Sequence, residues 1–240
     1  MAMPKILMDG YLRFNALLIT MLDESIIDRI VARYPHGSAF QRWHMRGRLR
    51  LCPYDALLKH MTGNGSVLDI GCGFGHFAWF LEATRPDLRY LGTDIDERKI
   101  ALASACPPSS SQPEFRVGNV MEMPDRVGPF GNIVILDVIY LLPWEMQVKL
   151  LEWCVEHLSP GTDSAVVIKT MDMAVGWVGF RTVAEEWIMV HILRRTRSSG
   201  TIYGARPFEA YEDVIRKLGY KCKIENLSTW SPSSLFRIHR

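Results

Sequence analysis

Net charge, paired cysteines and long apolar runs are all scarce in this chain of 240 residues. Its 28 Lys and Arg stand against 26 Asp and Glu, a formal charge of +2. That is too small to imply nucleic acid as a partner from charge alone. The five cysteines, Cys52, Cys72, Cys106, Cys154 and Cys222, are odd in number and scattered, with no C-x-x-C pair. This argues against a disulfide framework or a zinc site and suits a reducing, cytoplasmic location. The apolar N-terminus is broken by Lys5, Asp9, Arg13, Asp23 and Glu24, so neither a membrane span nor a secretory leader is expected there. No internal repeat or long linker is visible, and PPSSSQP at 107–113 is a polar loop.

What is present is ordinary globular composition, 48% hydrophobic and 22% charged. From residue 66 onward, short apolar runs alternate with helical stretches. SVLDI, LRYLGTD, EFRVGN, GNIVILDV and SAVVIKT read as strands, with helices starting near Gly75, Glu97, Pro143 and Phe180. This alternation implies βαβ units and a parallel sheet. PFEAYEDVIRKLGY reads as a helix that Gly219 stops. YKCKIENL and SLFRIHR then form a closing antiparallel hairpin about the turn STWSPSS. Ahead of this domain, LRFNALLITMLDESIIDRIVARY and YDALLKHM read as amphipathic helices, with RWHMRGRLR between them. The expected organisation is an N-terminal helical cap over 1–62 and an α/β domain over 63–240. Within that domain, 172–205 is an insertion after the fifth strand.

VLDIGCGFGHF at 67–77 ends an apolar strand in three alternate glycines, Gly71, Gly73 and Gly75. Glycine permits positive φ and removes the Cβ that keeps a ligand off the backbone. Free amides at the following helix N-terminus favour an anionic group, and open α/β sheets bind ligands at this carboxyl edge. Dinucleotide sites prefer G-x-G-x-x-G, whereas here the third glycine comes one residue early.

G-x-G-x-G preceded by Asp69 in the strand resembles motif I of the class I S-adenosylmethionine-dependent methyltransferases of small-molecule type. Asp94 closes RYLGTD, Asn119 follows the third strand in RVGNVMEMP, and Asp137 lies in ILDVIYLLP, in the order that family uses. The resemblance runs from about residue 66 onward. It implies a Rossmann-like, seven-stranded, mostly parallel sheet ending in an antiparallel hairpin, with helices on both faces. It also implies S-adenosylmethionine as cofactor. Asp69, Gly71, Cys72, Gly73 and Gly75 would then form the cofactor loop. Asp94 would take the ribose hydroxyls in a charge-assisted pair, Ile95 would wall the adenine, Asn119 would meet its edge, and Val120 and Met121 would line it. Asp137 would close the fourth motif.

Methyl transfer asks mainly that a nucleophile be held in line, about 3–3.5 Å from the methyl carbon. A hydroxyl acceptor also gains from a base, typically about 10²–10⁴-fold. The Pro-Pro segment of amino-group methylation is missing after Asp137-Val138-Ile139-Tyr140, and so is the histidine that many family members carry there. The catalytic candidates are therefore Tyr140, His76 at the start of the helix after the loop, and His191 in AEEWIMVHILRR. Each is also readable as a packed structural residue. Asp137 and Asp172 lack a third ligand, so no metal is expected. Trp43, His44 and Arg46 in the basic stretch, with Trp177 and Phe180 in the insertion, are the candidate substrate contacts; a solvated basic face and core aromatics are the bland alternatives.

The leading expectation is methylation of a small apolar or aromatic metabolite at oxygen, in secondary metabolism. A fainter likeness to methyltransferases of aryl-polyene and lipid pathways adds an acyl chain on an acyl carrier protein as a second acceptor. RNA methylation, with RWHMRGRLR as platform, a non-enzymatic binding or scaffold role, and a nicotinamide-dependent reductase, which the glycine spacing and the hairpin ending oppose, complete the alternatives.

Overall fold

The computed structural model describes residues 22–34, 39–61, 65–107, 113–123, 128–161, 163–171, 206–226 and 233–240. Its frame is a seven-stranded sheet built from β1 (Ser66–Ile70), β2 (Arg89–Asp94), β3 (Glu114–Val117), β4 (Asn132–Leu136), β5 (Ala165–Met171), β6 (Lys221–Asn226) and β7 (Ser233–His239). The spatial order is β3-β2-β1-β4-β5-β7-β6. Five strands run parallel from β3 to β5, and β7 lies antiparallel between β5 and β6. The expected closing hairpin is therefore present, threaded so that its second strand is the inner one. Residues of its turn at 228–232 lie outside the described residues.

Strand side chains alternate between two cores, as a two-residue period requires. Val67, Val134 and Val167 face one cluster, while Leu68, Ile133, Ile135, Val166 and Ile168 face the other. Because both faces are covered, the central strands are apolar almost throughout. The second face is covered by α6 (Trp144–Glu156) and α7 (Phe208–Lys217). The helices expected near Gly75, Glu97 and Pro143 are α4 (His76–Thr84), α5 (Glu97–Ser104) and α6. The helix expected from Phe180, with the whole 172–205 insertion, lies outside the described residues.

The first face is shared by α4 and by α1 (Glu24–Ala32), α2 (Ala39–Leu51) and α3 (Tyr54–His60). Asp23 caps α1 by accepting the Ser25 amide at 2.8 Å. Ile27, Ile30 and Val31, spaced one turn apart, carry its buried stripe. The basic stretch expected between two helices is itself helical as α2. Four cations hide its stripe in the sequence, yet Met45 and Leu49, four residues apart, are fully buried. The polar side of α2 docks on α1 through Arg46 to Asp28 at 2.6 Å and through Arg50, bidentate to Glu24. Tyr54 opens α3 and stacks on Phe77 and Phe80 of α4, at 5.4 and 4.9 Å between ring centroids. Residues 22–61 thus share one core with the sheet.

Candidate active site

The β1–α4 loop gathers at the carboxyl edge of the sheet. Gly71, Gly73 and Gly75 all adopt left-handed φ, at 76°, 57° and 73°. At Gly71 a Cβ would collide with the Val138 side chain, and at Gly75 with the Phe115 ring. These two glycines are packing requirements. At Gly73 the space is open, with only an Asp94 oxygen at 4.0 Å from where a Cβ would sit. Here the bare backbone faces room for a ligand.

Asp94, at the tip of β2, ties this loop down. One carboxylate oxygen accepts the Gly73 amide and the other the Asp96 amide, each at 2.8 Å. The amides of Gly71 and Cys72 donate to the Thr93 carbonyl at 2.7 and 3.0 Å, so the loop is stitched to the end of β2. Each Asp94 oxygen keeps a second acceptor position. Beside it Ile95 is 57% exposed, an apolar side chain left uncovered. Asn119 starts the 3-10 turn Val120–Glu122, accepting the Met121 amide and donating to Glu122. Val120 is buried and Met121 half-buried against the second core. Cys72 is half-buried against Gly92, and burial pushes its thiol well up.

Asp69 lies beneath the loop, 2% exposed. Its Oδ2 accepts the Tyr90 hydroxyl at 2.6 Å, while Oδ1 is buried and without a hydrogen-bond partner. Burial pushes its carboxyl up to about 7; the Tyr90 bond opposes that shift and the Asp94 charge adds to it. His76 is buried on the α1 side, its ring 5.8 Å from those of both Tyr34 and Phe74.

On the other side of β1 the tips of β4 and β5 carry an ionic group. Asp137 has φ 58°, a left-handed conformation at a non-glycine residue. Its carboxylate takes Lys169 Nζ at 2.6 and 2.7 Å, and Arg48 of α2 approaches Oδ2 at 3.5 Å. Burial alone would raise the Asp137 carboxyl, but Lys169 and Arg48 outweigh it and hold it below the usual carboxylate range. Tyr140 is buried in the following 3-10 turn, and Cys52, close to the same charges, is pushed up to about 11 by burial.

The structure thus gathers Asp69, Gly71, Cys72, Gly73, Gly75, Asp94 and Ile95 along one edge, with Asp137 and Tyr140 one strand away. Trp43 is 56% exposed on α2, and Arg46 is paired with Asp28. The side chain of His44, and all of Trp177, Phe180 and His191, lie outside the described residues. Two cations reach the site without being among the sequence candidates. Lys169 had a signal: a lysine in an otherwise apolar strand needs a buried acid. Arg48 had none, because only the helical phase of α2 separates it from Arg46.

The group the fold implies is S-adenosylmethionine, and this edge fits it. The open position at Gly73, the anchored Asp94 carboxylate, the uncovered Ile95 and the unpartnered Asp69 oxygen offer contacts for a polar, flat and cationic ligand.

The family model described as methyltransferase domain matches residues 67–161. No curated protein sequence matches significantly. Among solved structures, the plantazolicin methyltransferase BpumL with S-adenosylhomocysteine and a pentazolic analogue has a TM-score of 0.56 at 16% identity, over 91% of this chain and 100% of that one. Magnesium protoporphyrin IX methyltransferase from Synechocystis PCC 6803 has 0.54 at 15% identity, over 90% and 82%. An O-methyltransferase family protein from Burkholderia thailandensis has 0.55 at 14%, over 87% and 61%. These likenesses carry the fold. Residues 67–161 thus match a methyltransferase domain, set within a fold that these solved methyltransferases share.

Proposed function

We propose that this chain is an S-adenosylmethionine-dependent methyltransferase acting at an oxygen atom of a small, apolar or aromatic metabolite. The observation that carries the reading is the state of the basic helix α2. Arg46, Arg48 and Arg50 each face an acid, Asp28, Asp137 and Glu24. Arg46 and Arg50 are taken up by acids of α1 and Arg48 sits at the strand tips, so these three cations form no row of unpaired charges for an RNA backbone, which needs several. They also hold α2 down over the strand tips, so an acceptor lies beneath α2 rather than across it. The azolic analogues bound to the plantazolicin methyltransferase are in keeping with a small acceptor in this fold.

When bound, the cofactor supplies a methyl group on a sulfonium. Asp94 accepts the ribose hydroxyls on its remaining lone pairs, and Ile95 and Met121 line the adenine, with Asn119 at its edge. The glycine loop lets the backbone approach the middle of the ligand. With the ribose on Asp94, the methionine end would lie on the other side of β1, towards Val138 and Asp137. Asp137 is occupied by Lys169, so it orients and does not take a proton. Tyr140, His76 and His191 are the candidates to align the acceptor, with Trp43, His44, Trp177 and Phe180 as apolar or polar contacts around it.

The test is release of S-adenosylhomocysteine from S-adenosylmethionine in the presence of phenols, organic acids, amines and a structured RNA. Turnover confined to amines or RNA sinks the reading; turnover with an oxygen acceptor supports it.

A further inference from the structure

Among the described residues, the charges at the tips of β4 and β5 do not balance. Lys169 Nζ spans both oxygens of Asp137 and neutralises it. Arg48 is then one positive charge in excess, with a single long approach of 3.5 Å to Asp137 as its ion pair. Its side chain is 46% exposed, and beyond Asp137 no described acid pairs with its five donors. The neighbours that sense its charge besides Asp137 are Tyr140, Cys52 and Tyr54, and burial raises the Cys52 thiol and the Tyr54 hydroxyl, so neither of those carries charge near pH 7. A half-exposed guanidinium with one long ion pair at the ligand edge of the sheet keeps donors to offer an arriving anion.

The position matters as much as the charge. Asp94 lies one strand to one side of the glycine loop and Asp137 one strand to the other. Two strand spacings amount to about 10 Å. An anion on Arg48 therefore sits beyond the methyl-donating end and clear of the ribose.

We propose that the acceptor is an organic acid whose carboxylate docks on the guanidinium of Arg48, beside the Asp137–Lys169 pair. A planar fork with one unbalanced charge matches a planar monoanion better than a phosphate monoester, which carries close to two charges. The inference rests on the small-acceptor reading above and narrows it to acids. The neutral part of the acid lies under α2, and the carboxylate fixes its distance from the methyl group.

The experiment titrates the full chain loaded with S-adenosylhomocysteine against 2-naphthoate, decanoate, their amides and 2-naphthyl phosphate, followed by ligand-observed NMR. The expected result is that acids bind at least about 10-fold more tightly than amides. Arg48→Gln should erase that preference, Arg48→Lys should keep part of it, and Arg50→Gln, which removes the partner of Glu24 on the same helix, should leave it intact. The S-adenosylhomocysteine titration on each variant reports folding and tests the cofactor site separately. Equal binding of acids and amides, no acid binding, a preference that survives Arg48→Gln, or tighter binding of the phosphate each overturns the proposal. Failure to bind S-adenosylhomocysteine would instead count against the cofactor assignment.

Discussion

Asp94 ties the glycine loop to the end of β2, because one of the two amides it accepts is that of Gly73. Replacing it releases Gly73 and, on the proposed reading, removes the ribose contact as well. Asp94→Ala should weaken S-adenosylmethionine binding by about 100-fold or more, read by calorimetry. Unchanged affinity would remove Asp94 from the site. Asp69 predicts a pH effect. Its carboxyl ordinarily titrates near 3.8 and is raised to about 7 in the fold. A raised acid stabilises the folded state fully below the unfolded value, and that stability is lost as pH rises towards 7. The melting temperature of wild type relative to Asp69→Asn should therefore fall between pH 4 and 7. A flat difference would mean that Asp69 titrates normally. That the glycines and both acids lie together was legible from sequence because each sits at or near the end of a strand, where the chain must turn. Lys169 and Arg48 were not, since their roles depend on which strand and helix lie opposite.

Among the elements, α2 shows the limit of sequence reading most clearly. Its buried stripe is only Met45 and Leu49, and its cations read as a surface stretch until α1 supplies Glu24 and Asp28. Gly47 sits inside this helix, and nothing lies within 4 Å of a Cβ placed there. Gly47→Ala should stabilise the protein by about 0.5–1 kcal/mol, measured by denaturant unfolding, with no steric cost. A destabilised variant would show that α2 is not helical at Gly47. The strands, by contrast, were read correctly because burial on both faces leaves a continuous apolar run that no neighbouring element needs to explain. The Asp137–Lys169 pair joins β4 to β5. Asp137→Ala strands Lys169 and should cost about 3–5 kcal/mol, whereas the double change with Lys169→Met should recover most of that loss. Additive losses in the cycle would argue that the pair carries no coupling.

At the scale of the whole molecule, the mostly parallel sheet with its antiparallel end was foreseen, but the order β5-β7-β6 could not come from local pattern. It depends on which strand reaches the centre first, a contact between residues far apart in sequence. Until β7 arrives, β5 is an edge, and its run Val166, Val167, Ile168 offers unpaired amides and carbonyls to any other chain. During synthesis, more than sixty residues must be added after β5 before that edge is closed. Damage to β7 should therefore appear first as insoluble protein in the cell, with a normal catalytic rate per folded molecule in whatever remains soluble.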